Sequence, residues 1–136
     1  MSTVKVNTLT GVSTAGSIAV TGEGNSTTTN LQQGLAKAWS HLNFSGASVH
    51  DSLNQSSITD LGTGKFSVDT TSALGNSDYS VVTSACNAAN STSNTNRASQ
   101  GTAVSSSQYY MCATIISSHT STDAESCSGA VHGDLA

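Results

Sequence analysis

Four histidines, three cysteines, 26 serines and eight carboxylates are the side chains in this sequence with types suited to chemistry. A metal site needs ligands that converge, through a short i, i+2 spacing, a helical i, i+4 spacing or paired CxxC motifs. His41, His50, His119 and His132 have neither histidine spacing, and Cys86, Cys112 and Cys127 form no CxxC or CxxH pair. The sequence therefore predicts no metal site and no cofactor. An odd number of cysteines closes no full disulfide framework, so these three read as buried free thiols acting as small hydrophobes. No GxSxG motif presents a nucleophilic serine. The two glutamates, Glu23 and Glu125, fall in turn-like or edge positions, a poor basis for a glycosidase-type carboxylate pair. Gly22-Glu23-Gly24 is followed by no Lys-Ser/Thr and so is not a phosphate loop. No catalytic residue is predicted, and the expectation is that the protein is not an enzyme. Trp39, Tyr109 and Tyr110 fit core or subunit-interface anchors better than a sugar-stacking surface.

Composition narrows the class further. The 136 residues suit one domain, and 26 Ser with 19 Thr make a third of them hydroxyl-bearing. Charged residues are 9%, against a usual ~25%, and proline is absent. With four Lys/Arg and a net charge of -4 there is no basic surface to track a phosphate backbone, so no nucleic-acid partner is expected. No apolar stretch approaches the ~20 residues of a spanning helix, so no membrane insertion is expected. A signal peptide is not expected either, because no basic segment followed by an apolar one opens the sequence. Leu, Ile, Val and Phe together number 24, close to the composition of disordered chains. Sparse charge and alternating apolar residues argue instead for a Ser/Thr-rich β-protein with a thin core, one that shares burial with other subunits.

The elements that would position these residues follow from periodicity. Residues 2–9 alternate Val4 and Val6 against Lys5 and Asn7 and read as a strand, with a second at 17–21 and a polar loop at 22–30. Residues 1–30 thus form an extended N-terminal anchoring arm. A short helix is predicted over 31–39. Asn30 caps it with Gln33 three residues on, and Leu31, Leu35, Ala38 and Leu42 form an apolar stripe. From Trp39 the period changes: Ser40, Leu42 and Phe44 alternate with Trp39, His41 and Asn43, the pattern of a strand beginning there. Further strands follow at 47–53, 56–60, 65–70, 79–86, 108–117 and 125–132, with a Gly-rich hairpin loop at 61–64. Residues 87–107 read as an exposed loop with at most one short strand around Thr102–Ser105. Six to eight short strands with turns every 8–12 residues are the signature of a sandwich or barrel.

The run from Thr21 through Leu31-Gln-Gln-Gly-Leu-Ala-Lys-Ala-Trp39 resembles a module found in tail-fibre-like and other virion proteins of tailed bacteriophages, especially marine ones. Asn43-Phe-Ser-Gly46, Ser56-Ser-Ile-Thr-Asp-Leu-Gly-Thr-Gly64, Phe66-Ser-Val68, Asn76-Ser-Asp-Tyr-Ser-Val81 and Ala130-Val-His-Gly-Asp134 are similar to its continuation. The resemblance covers residues 2–134 with gaps and is most specific over 22–64. It implies a β-rich structural module, used as a trimer, with no catalytic residues. The combined expectation is an all-β, antiparallel, jelly-roll-like β-sandwich over residues 31–136 with one short helix, following the arm. It forms a homotrimer through Val4, Leu31, Leu35 and Trp39. The implied function is a structural component of a tailed-phage virion, assembled in the host cytoplasm. It would be a short trimeric fibre or appendage on the tail or protruding from the capsid, and its partners would be other virion proteins. Two other readings stay open. One is an adhesin that binds host-surface glycan through loop residues Asn94, Arg97 and Gln100. The other is a decoration protein that clamps capsomers.

Overall fold

The computed structural model describes residues 3–12, 18–21, 28–87 and 96–134. Contacts divide the chain into two units, Met1–Leu35 and Ala36–Ala136.

In the first unit, β1 (Ala19–Thr21) pairs antiparallel with β2 (Thr28–Asn30), and a four-residue helical turn, α1 (Leu31–Gly34), follows. The Leu31 amide donates to the Ile18 carbonyl at 2.7 Å, which ties the turn to the hairpin. Two expectations are corrected here. Residues 3–12 form no strand, because among the described residues Val4 and Val6 have no partner strand to complete a ladder. The predicted helix over 31–39 ends after one turn. Gly34 weakens it, a helix this short is not stable by itself, and residues 38 and 39 are claimed by a central strand.

The second unit is all-β and sandwich-like. One sheet holds β5 (Gln55–Asp60), β6 (Lys65–Thr70), β9 (Gln108–Ile115), β8 (Arg97–Ser105) and the two-residue β10 (Thr120–Ser121). The other runs β4 (Ser48–Leu53), β3 (Ala38–Asn43), β11 (Ser126–His132), β7 (Ser80–Cys86). All pairings are antiparallel. β8 follows one edge of β9 along its whole length, while β6 and then β10 share the other edge. Gly64 sits where those two meet. It has φ +71, accepts a hydrogen bond from the Ala113 amide, and leaves no room for a Cβ, which would lie 2.5 Å from the Ala113 carbonyl oxygen.

Alternation explains the core. Ala38, Leu42, Cys127 and Val131 point inward from one sheet, and Phe66, Val68, Tyr109, Met111 and Ala113 from the other, with Phe44, Leu74 and Ala124 from the connections. The Phe44 and Phe66 rings lie 4.6 Å apart. Ser40 is tied into the interior: its hydroxyl bonds both Gln55 and the Tyr109 hydroxyl, linking β3 to β5 and β9. At the β7–β8 side the layers approach closely, because a Cβ on Gly101 would sit 2.5 Å from Val81 Cγ1. At the opposite side the chain passes from β4 straight into β5 through Asn54, at φ 56. A single residue therefore carries one strand path from sheet to sheet, as a sandwich corner requires.

The largest difference from the sequence reading is β8. Residues 87–107 read as a loop with at most one short strand around Thr102–Ser105, yet the strand runs over Arg97–Ser105 and eight of its residues pair with β9. Their polar composition (RASQGTAVS) hides the strand, and the partner's apolar character supplies the stabilisation.

Candidate functional site on an outer sheet face

The expected interface residues divide between the two units. Val4 is 80% exposed in irregular chain, Leu31 is half-buried and Leu35 is exposed, all in the first unit. Trp39 lies on β3 in the second unit, half-buried and facing outward. Of the expected host-binding loop residues, Asn94 lies outside the described residues. Arg97 and Gln100 are strand residues on β8, which corrects their assignment to a loop. Arg97 donates to Asn87 Oδ1 at 2.6 Å and to the Asn96 carbonyl, so its guanidinium pins the start of β8. Gln100 stands opposite Cys112, not at a tip.

What the registers assemble around Trp39 was not legible in the sequence. Leu53 pairs with Trp39, Trp39 with Ala130, and Ala130 with Val82, so an apolar row crosses all four strands of the sheet on its outer face. Its ends are open to solvent, with Leu53 48% and Val82 60% exposed. A shallow, open depression of about 420 Å³ lies along it, bounded by Trp39, His41, Val82, Ser84, Ser128 and Ala130. Most of these side chains are uncharged, so the face suits contact with another protein surface more than capture of a charged small molecule.

Beside the row the sheet brings together residues that share no motif. His41 stands opposite Asp51, and the register slips between His41 and Leu42, leaving His50 as the extra residue of a β-bulge. A bulge sets two residues against one and re-aims a side chain. The outcome is that the His41 and His50 rings lie 4.6 Å apart, inclined at 44°. His41 Nε2 lies 2.9 Å from the Ser126 hydroxyl. That is nucleophile–base geometry, but the orienting carboxylate is missing and the serine is poorly presented. The Asp51 carboxylate accepts from the Ser52 amide instead of orienting the imidazole, and Ser126 sits within a strand whose backbone is committed to ladder pairing with β7. Among the described residues no group of three His, Cys, Asp or Glu converges as a metal cluster.

The cysteines are free. Cys127 points into the core, and burial pushes its thiol up to about 12. Cys86 pairs with Ser126, next along β11, so the pleat turns it to the opposite face of the sheet from Cys127. Cys112 is on the outer face of the first sheet. Burial raises its thiol pKa and the nearby Lys65 charge lowers it. Lys65 Nζ also stands 4.5 Å over the Tyr110 ring, which covers that aromatic face.

Comparison of the chain with protein-family models, curated proteins and solved structures gives no match.

Proposed function

We propose that the protein is a structural component of a tailed-phage virion, a short trimeric fibre or appendage subunit on the tail or protruding from the capsid. One observation carries this reading: the first unit leaves Val4, Leu9 and Val20 more than half exposed, on irregular chain and a two-stranded hairpin. A hairpin of that size does not hold itself together in water, and apolar side chains on it gain stability only when another surface covers them. The apolar row through Trp39 is a second surface of the same kind. Subunits placed around an axis would cover both, with Val4, Leu31, Leu35 and Trp39 at the contacts and residues 1–30 as the anchor. The sandwich would then project outward as a jelly-roll-like body. The resemblance of residues 22–64 to phage virion modules supports the same assignment.

The test is mass spectrometry of density-purified particles of the phage that encodes the chain, with antibody labelling to locate it. The expected result is the protein in intact particles, at the tail or at capsid protrusions. Its presence in infected cells but absence from purified particles would overturn the proposal.

A further inference from the structure

We propose that His41 and His50 form a two-imidazole binding site for a divalent late first-row transition cation. The site is independent of the virion reading, since it rests on the geometry of one sheet.

The two histidines lie nine positions apart in sequence, and strict alternation would put His50 on the opposite face of β4 from Asp51. The bulge removes that alternation. His50 and Asp51 both stand against His41, and the two rings come to 4.6 Å on an exposed outer face. With one nitrogen of each ring turned to a common ion at roughly 2.0–2.1 Å, the ring centroids lie about 3.2 Å from it, and the 4.6 Å separation then fits a nitrogen–metal–nitrogen angle of about 90°. That is the cis angle of tetragonal or octahedral coordination, favoured by copper(II) and nickel(II), and it is narrower than the tetrahedral angle of zinc.

Ser126 supplies the supporting contact. With the His41 Nε2 proton directed to the Ser126 hydroxyl at 2.9 Å, Nδ1 is the nitrogen that keeps its lone pair for the ion. A ligating histidine whose other nitrogen is held in this way is fixed in tautomer and orientation. His50 is exposed, so an ion reaches its ring directly from solvent. No third protein ligand joins the pair among the described residues, so water completes the coordination sphere and the site stays open on one side.

The experiment is a calorimetric titration of nickel(II), which thiols do not reduce, into the full chain at neutral pH. His41→Asn, His50→Asn and His119→Asn are measured in parallel, each checked for an unchanged circular dichroism spectrum. The expected result is one ion per chain, weakened about tenfold or more by His41→Asn and by His50→Asn, and unchanged by His119→Asn. Absence of saturable binding up to millimolar nickel would overturn the proposal. So would binding by His50→Asn equal to that of the unaltered chain, or loss of binding with His119→Asn.

Discussion

Asn54 and Ser72 hold each other through both ends of one side-chain amide: Asn54 Nδ2 donates to the Ser72 carbonyl at 3.1 Å, and the Ser72 amide donates to Asn54 Oδ1 at 2.7 Å. The same Nδ2 group also donates to the Lys37 carbonyl, and the Thr71 amide donates to the Asn54 carbonyl. One residue at positive φ thus bonds the chain just before β3 and the chain just after β6, at the point where β4 becomes β5. The two sheets are stitched here by local polar chemistry as well as by the core.

Asn54→Ala should therefore be costly. It removes the side-chain bonds and leaves a Cβ-bearing residue without local compensation in the left-handed region, a combined loss of about 2–4 kcal/mol. Asn54→Gly restores the backbone freedom but not the bonds, so urea unfolding should place it between the unaltered chain and Asn54→Ala. Equal stability of the two variants would mean that the positive φ costs alanine nothing, and an Asn54→Gly chain as stable as the unaltered one would mean that the amide contributes nothing.

The close approach at Gly101 predicts a rescue. Gly101→Ala forces a methyl against Val81 and should destabilise by about 1–3 kcal/mol. Adding Val81→Ala removes the nearest obstructing atom, Val81 Cγ1, while Val81 Cβ and Thr83 Cγ2 stay close, so the double variant should lose less than the two single losses added together. At Gly64 no such rescue exists, because the obstructing atoms are the Ala113 carbonyl and the Thr122 backbone. Gly64→Ala should unfold at lower urea than Gly101→Ala.

Alkaline pH should weaken the fold. Cys127 is raised by burial from 9.0 to about 12, and burial raises Tyr109 as well. A group whose folded pKa is raised keeps its stabilising effect below the unfolded value and loses it as pH climbs toward the folded one. For Cys127 that window is pH 9 to 12, and at ~1.4 kcal/mol per unit the loss across it is on the order of 4 kcal/mol. Unfolding free energy measured at pH 8 and again near pH 11 should fall, and Cys127→Ala should fall less steeply while starting lower. An identical slope in the variant would assign the alkaline loss to other groups.

The outer face should separate folding from assembly. Val82→Lys places a charge on a side chain that is 60% exposed, so the stability of the sandwich should change by less than about 0.5 kcal/mol. Association between chains should weaken, read as a smaller sedimentation coefficient at equal concentration. A large loss of melting temperature would show that Val82 is covered within its own chain.

Much of the sandwich was legible because its inward residues alternate with polar ones. Phe66 and Val68 mark β6, and Tyr109, Met111 and Ala113 mark β9. Only the end of β8, around Thr102–Ser105, was legible; the rest escaped because its residues are small and polar and depend on β9 for their order. The helix expected over 31–39 had a cap and a stripe, but Ala38 and Leu42, two members of that stripe, are buried as alternate residues of β3. Both periodicities fit the same residues, and tertiary pairing decided between them. The row of Leu53, Trp39, Ala130 and Val82 and the His41–His50 pair depend on register and on one bulge. Neither quantity is encoded in local spacing.

The central claim is that the apolar side chains exposed on one chain are covered by other copies of it. Light scattering of the full chain after size-exclusion chromatography, over a micromolar concentration series, tests this most directly. The account predicts a species of three times the 13.7 kDa chain mass that Val82→Lys and Val4→Asp both weaken. A mass of one chain at every concentration would contradict it.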